Sequence, residues 1–270
     1  MSSKYHFELI TGDTPLSDVQ QETLQASLRN LCSQCLPEIP NYQVLKEPRG
    51  TNWLVDKMVV LAHLDNNLVG FISALSIPIP DSDDPIIHTG LTMVHPSHRR
   101  STGLKQMMFN HLIFHLLGKF PEGFWVTTLA EVISSLVHTS IYTINGFPSI
   151  EHNEPNQTHL RIAKEIDRNR ERFLISPHAT FEENTFVFRG SNDWPEGRVF
   201  MKDIDDQRYW HRDLKRSKFY YDRLRNNKGD EQLLVAFVDP NVIRMAMKKK
   251  HNKDLVGKCS SLGVSERSKL

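Results

Sequence analysis

Cysteine is scarce in this chain, with three in 270 residues. So few, and an odd number, exclude a disulfide framework. Cys32 and Cys35 form a C-x-x-C in NLCSQCLP. No second ligand pair stands at zinc spacing, and the pair closes a helical pattern instead of following a strand as the redox motif does. They read as ordinary half-buried thiols, and no metal is expected. Long apolar runs are lacking too, so no segment reaches the length that crosses a bilayer. MSSKYHFELI has no apolar signal core, which argues against secretion and leaves the Asn156-Gln157-Thr158 acceptor triplet unused. Excess charge is absent: the formal net charge is +1, and nothing in it draws the chain to nucleic acid or a membrane. Neither G-x-x-x-x-G-K-[ST] nor G-x-G-x-x-G occurs, so the two common glycine-rich phosphate loops are excluded. No internal repeat is found.

What is present is the composition of a globular protein, 39% hydrophobic and 24% charged, long enough for a sizeable core. Tyr5–Thr11 alternates as a strand does. The following run recurs at three to five residues through Val19, Leu24, Leu28, Leu31 and Cys35. That spacing predicts a helix with Ser17 as N-cap and Gln20 completing a capping box. KMVVLAHLDNNLVGFISALSI predicts a hairpin turning at Asp65-Asn66-Asn67. Ile86–Pro96 predicts a strand ended by its proline. From Gly103 an amphipathic run through Leu104, Met107, Met108, Leu112, Leu116 and Leu117 predicts a helix ending near Gly118. GFWVTT predicts a strand, and LAEVISSLVHTSIYTINGF a helix closing at Asn145-Gly146. Beyond, THLRIAKEIDRNRERFL and DDQRYWHRDLKRSKFYYDRLRN predict helices, NTFVFRG and EQLLVAFVD strands, and VIRMAMKKKHNK a short basic helix or tail. The order predicts a mixed α/β fold whose sheet holds both parallel and antiparallel strands.

The stretch VHPSHRRSTGLK joins a strand to a helix and carries Arg99, Arg100, Ser101, Thr102 and Gly103. The first amides of a helix are unpaired and lie at the positive end of its dipole. Glycine lets a ligand approach the backbone, and arginines add charge-assisted contacts. Two readings are open on these residues alone: an anion site, or a plain basic connector.

TMVHPSHRRSTGLKQMMFNHLI resembles the coenzyme-A-binding segment of the GCN5-related N-acetyltransferases. In that family a strand ends in Val-x-Pro, and Arg-x-x-Gly-x-Gly/Ala then opens a helix. Val94-His95-Pro96 and Arg100-Ser101-Thr102-Gly103-Leu104-Lys105 match in order and spacing, with Lys105 where the family prefers a small residue. A later Tyr142-Thr143-Ile144-Asn145-Gly146-Phe147 resembles the family's Tyr-x-x-x-Gly-Phe. The resemblance covers residues 5–150 and fades beyond them. The whole-chain pattern is more similar to fungal members than to bacterial or histone-directed ones.

The resemblance implies an acyl-CoA N-acyltransferase fold with splayed parallel central strands and a helical C-terminal extension. It implies one domain over residues 1–240, followed by a basic helix and flexible tail over 241–270. Acetyl-CoA or another acyl-CoA would be the donor, its pyrophosphate on the amides from Ser101 through Leu104 to Lys105. The pantetheine arm would pair with Met93 and Val94, and an amide near Met93 would hold the oxyanion. Tyr142 would protonate the leaving thiolate, a task to which a phenol is suited. For the general base His88 and Glu131 are rivals. Alternation places His88 on Val94's face, and its imidazole titrates in the right range; both residues also have purely structural readings. The family often has an Asn seven residues before its Tyr, and Ser135 stands there. The acceptor would be a primary amine of a small molecule. The rival readings are a degenerate fold that binds CoA or a protein partner without catalysis, and a protein-directed acetyltransferase. A homodimer is left open.

The chain ends Ser268-Lys269-Leu270, the address read by the peroxisomal import receptor. A peroxisomal location is therefore expected.

Overall fold

The computed structural model describes residues 4–47, 49–50, 53–79, 84–99, 102–194, 197–198 and 203–246. Arg100 and Ser101 of the expected anion loop, the KKKHNK stretch and the terminal Ser268-Lys269-Leu270 lie outside the described residues.

The chain opens with β1 (His6–Thr11) and α1 (Asp18–Ser33). Ser17 caps α1 through the expected capping box with Gln20, satisfying two helix-end amides at once. β2 (Lys57–Leu64) and β3 (Asn67–Ile77) form the expected hairpin. Its turn has φ 49° at Asp65 and 65° at Asn66, the paired left-handed conformation that matches strand twist and that short polar side chains tolerate. β4 (Ile86–Val94), α2 (Leu104–Lys119), β5 (Phe124–Ala130) and α3 (Ile133–Ile141) follow. β6 (Ile144–Phe147) comes next, then α4 (Gln157–Arg168), β7 (Thr180–Glu182) and β8 (Val187–Arg189). The small ribbon β9 (Asp193–Trp194) and β10 (Gly197–Arg198), α5 (Leu214–Leu224) and β11 (Glu231–Val238) close the described elements. A helical turn spans 240–246.

The fold is mixed α/β. One sheet runs β1-β2-β3-β4-β5-β11-β8-β7, with β6 pairing β11 off that path. All pairings are antiparallel except β4 with β5. Alternation along β2 sorts the core. Val60 and Ala62 face α2 and its stripe Leu104, Met108, Leu112 and Leu116. Val59 and Leu61 face α1 through Leu24, Leu28 and Leu31. α4 covers the α1 side farther along the sheet with Ile162 and Ile166 against Leu233 and Val235. α3 and α5 pack on the other side around Tyr220 and Leu234.

One expectation needs correction. The helix expected to close at Asn145-Gly146 ends at Ile141, and those residues belong to β6. There Phe147 pairs with Val235 and Ile144 with Phe237, so ladder bonding to β11 overrides the local glycine signal. The three-residue β7 and the β9–β10 ribbon carried no sequence pattern long enough to be seen.

Candidate active-site cleft

β4 and β5 run parallel over only three registered pairs: Ile87 with Val126, His88 with Thr127, and Thr89 with Thr128. Beyond Thr89 the strands part. A chain of hydroxyls closes the apex of the V. Thr89 Oγ1 lies 2.6 Å from Thr128 Oγ1, which lies 3.1 Å from Thr139 Oγ1 on α3. The gap opens into a cleft of about 530 Å³.

The parting has a local cause in β4. Ile72 of β3 pairs with Thr92 but Ala74 pairs with Thr89, so Gly90 and Leu91 together face Ser73. This is a β-bulge, and it bends the strand. Ser73 Oγ accepts the Leu91 amide at 3.0 Å and hydrogen-bonds Gln43 Oε1 at 3.1 Å. Gly90 is required here, because a Cβ would stand 2.0 Å from Gln43 Oε1 and 2.7 Å from Ser73 Oγ.

The bulge also reverses the alternation of β4. Ile87 packs in the α2 core, whereas beyond the bulge it is Leu91 and Met93 that pack toward α1 and Val94 toward α2. His88 and Val94 are therefore on opposite faces, not the same one. His88 is 1% exposed, bonds Thr127 Oγ1 through Nδ1 at 2.9 Å and meets Phe173 edge-on. Burial, with the Arg172 charge adding to it, pushes its imidazole down to about 3. A neutral ring sealed in the sheet is a structural group and a poor base.

The same register decides which backbone groups near Met93 face the gap. The His95 amide bonds Val69 O at 2.9 Å, and that of Leu91 turns to Ser73. Alternating bonding then directs Met93 to β3 as well. It is Thr92 and Val94 that turn their backbone groups into the gap. Val94 O is taken up by Arg99 Nε at 2.9 Å and by Cys35 Sγ at 3.4 Å. Cys35 thus closes the cleft's α1 edge as a free thiol.

At the wider end stands the start of α2. Gly103, its N-cap, has φ 65° and caps nothing with a side chain. Thr102 Oγ1 donates to His98 O at 2.7 Å and accepts the Leu104 amide at 3.2 Å. The amides of Lys105 and Gln106 come next, and helix geometry gives them no acceptor. Leu104 is anchored in the core at 1% exposure. Arg99 and Lys105 line the mouth, so this end is electropositive.

Ser135 and His138 of α3 line the cleft, whereas Tyr142 stands behind His138 and does not. The Tyr142 and His138 rings meet edge-on with centroids 5.1 Å apart, and Phe109 holds the other side of His138. His138 Nε2 is buried without a hydrogen-bond partner. Burial, with Lys105 and His211 nearby, pushes this imidazole down to about 4.

The opposite end is built by side chains. Glu131, just past β5, and Glu231, the first residue of β11, both line the cleft. Gly229 N donates to Glu131 Oε1 at 3.3 Å, and Ser191 Oγ to Glu231 Oε2 at 2.6 Å. Burial pushes Glu231 up to about 7, and Glu131's charge adds to the rise. The Tyr42 hydroxyl is raised by burial and by Glu231. Apolar walls come from Leu36, Leu129, Phe173 and Leu174, the last two pinned by Arg172 Nη2 bonding Asp56 Oδ2 at 2.6 Å.

No protein-family model matches the chain, and no curated protein matches it in sequence. Similar solved structures include the ribosomal-protein-S18-alanine N-acetyltransferase from Escherichia coli, 10% identical over 87% of this chain and 95% of that one, with a TM-score of 0.41. ElaA from Escherichia coli is 19% identical over 57% of this chain and 94% of its own, with a TM-score of 0.38. The ribosomal-protein-alanine N-acetyltransferase from Brucella melitensis biovar Abortus 2308 is 17% identical over 41% and 70%, with a TM-score of 0.29. Identities and scores this low say nothing of what this chain does.

Of the residues expected from sequence, Met93, Val94, Arg99, Lys105, Glu131 and Ser135 line the cleft, and Thr102, Gly103 and Leu104 build the turn at its mouth. His88 and Tyr142 stand outside it. Sequence reading missed Glu231, His138, Tyr42 and the threonine apex. Glu231 opens a strand that the sequence did reveal, but its neighbour across the sheet is set by pairing 100 residues away. Among the described residues no His, Cys, Asp and Glu grouping could hold a metal, and no helix is long and apolar enough to cross a membrane.

Proposed function

We propose that the chain moves an acyl group from coenzyme A to a primary amine of a small molecule. The splay of β4 from β5 carries this reading. It bares a backbone edge at Thr92 and Val94, and that edge leads to uncapped amides at the start of α2. An acyl-CoA has matching chemistry along its length. The amides of its pantetheine arm pair with the Thr92 backbone and the Val94 amide as another strand would, the Val94 carbonyl being held by Arg99 and Cys35, and its pyrophosphate suits helix-start amides beside Arg99 and Lys105. An outward strand amide stabilises negative charge on the thioester oxygen, the contribution that usually dominates acyl transfer. The acyl-CoA is consumed in the reaction and is therefore a substrate.

The donor's sulfur leaves on the α3 side, where His138 stands in the cleft and Tyr142 behind it. The opposite end, walled by Phe173 and Leu174, suits a small amine better than a folded protein surface.

Calorimetric titration with acetyl-CoA and longer acyl-CoAs tests the proposal. Binding that Gly103→Glu and Arg100→Ala abolish is the expected result. A folded protein that binds no CoA ester overturns it. Turnover of peptides in place of small amines would move the assignment to a protein-directed enzyme.

A further inference from the structure

The end of the cleft away from α2 holds two carboxylates that the strand pairing forces together. Gln232 of β11 is registered with Ala130 of β5, so the next residues outward, Glu231 and Glu131, face each other where β5 ends. They are 8% and 5% exposed and both line the cleft. Each is oriented by a donor from a different loop: Ser191 Oγ at 2.6 Å for Glu231, and the Gly229 amide at 3.3 Å for Glu131. Around Glu231 stand Glu131 from the β5–α3 link, Tyr42 from the segment after α1, and Ser191 and Asn192 from the loop after β8.

We propose that Glu231, with Glu131 beside it, takes the proton from the ammonium group of the acceptor, so that the acceptors are cationic primary amines with an apolar body. The proposal rests on the acyl-transfer reading above. Amines arrive at neutral pH protonated and without a free electron pair, so a base must act before attack. A buried carboxylate beside a second one attracts the cation and is basic enough to deprotonate it; Glu231 titrates near 7, where general-base catalysis at physiological pH is most effective. The apolar walls at Leu36, Leu129, Phe173 and Leu174 accommodate the rest of the amine.

One ammonium proton passes to a Glu231 oxygen. The freed nitrogen pair attacks the thioester carbonyl carbon, and the C=O π pair moves to oxygen. That pair re-forms the carbonyl as the C–S bond breaks and sulfur leaves with the bonding electrons. A second nitrogen proton ends on sulfur, giving an amide and a free thiol. Glu231 then loses its proton to water.

The test uses the full chain with acetyl-CoA and two probes, 2-phenylethylamine and spermidine. Thiol release is followed from pH 5.5 to 9 for the wild type, Glu231→Gln and Glu131→Gln, with acetyl-CoA affinity measured separately by calorimetry. The wild-type kcat/KM should rise through an apparent pKa near 7. Glu231→Gln should lose about 100-fold and the acid limb with it, while binding acetyl-CoA as the wild type does. Glu131→Gln should keep the limb but move it to lower pH, because a neighbouring negative charge is gone. A merely structural role would not move the limb. Retention of the limb in Glu231→Gln overturns the proposal, as does failure of both amines with a protein that binds acetyl-CoA. If acetyl-CoA does not bind, the transfer reading falls by itself. The carboxylate is then read by NMR of 13C-labelled glutamate. A resonance titrating near 7, absent in Glu231→Gln and shifted by 2-phenylethylamine, upholds amine binding; its absence overturns that too.

Discussion

The two ends of the cleft are made of different material. At the α2 end the functional groups are backbone: the strand edge at Thr92 and Val94 and the amides after Gly103. Side chains there mostly tie the scaffold, as Ser73, Thr102 and Arg99 do. At the β11 end the backbone is fully engaged in the ladder with β5 and β8, and the chemistry is carried by buried carboxylates. Backbone sites are held in place by geometry and have no protonation state to lose. Side-chain sites depend on a desolvated charge. One end should therefore fail through steric change and the other through titration.

The largest expected effect breaks the backbone end. Gly90→Val drives a side chain into Gln43 and Ser73. Overpacking of this kind should cost about 3 kcal/mol, read as a lower urea midpoint, and should abolish acetyl-CoA binding by straightening the bulge. Next comes a pH effect confined to the other end. Glu231 rises from 4.5 to about 7 in the folded protein. The native state thus holds its proton longer than the unfolded chain, so the stability present below about pH 4.5 is lost as pH climbs through 7. Glu231→Gln should flatten that slope and gain about 2–3 kcal/mol at pH 8 relative to the wild type. Urea unfolding at pH 5 and pH 8 checks both statements. A Cβ at Gly103 meets no atom within 4 Å, so the cost of Gly103→Ala is the left-handed backbone alone, about 1–2 kcal/mol, while its acetyl-CoA affinity should fall much further. The smallest effect is a control: Ser17→Ala removes the α1 cap for about 1 kcal/mol and should leave both ends of the cleft unchanged.

The same contrast separates what could be read in the sequence from what could not. Caps, turns and period are local, so Ser17 with Gln20, the Asp65-Asn66 turn and the α2 stripe stand where their patterns put them. The α2 end of the cleft is largely local too, with its strand edge and helix-start amides between Thr89 and Gln106, and most of its residues were visible. The single exception is the bulge at Gly90-Leu91, which shifts the parity of everything after it and undid the placement of His88. A lone glycine in a strand hints at such a bulge without fixing it. The β11 end was not visible because its partners come from distant parts of the chain. Tyr42, Glu131, Ser191 and Glu231 share no motif, and only the β5–β11 register assembles them. His138 was hidden for another reason: in an amphipathic helix it is one histidine among apolar neighbours, and only its missing hydrogen-bond partner sets it apart.

The position of β11 bears on how the protein comes to be made. This strand inserts between β5 and β8, elements that precede it by many residues, and no earlier segment fills its place in the sheet. During synthesis the first half can fold its hairpin, helices and backbone-built cleft end while the seat of β11 is still empty. Pairing across so long a stretch is slow, because loop closure precedes its reward. Until residue 238 has left the ribosome, β5 offers a bare apolar edge of the sort that invites aggregation. Docking of β11 covers that edge and delivers Glu231 in the same event, so a nascent chain becomes safe and competent for amine chemistry together.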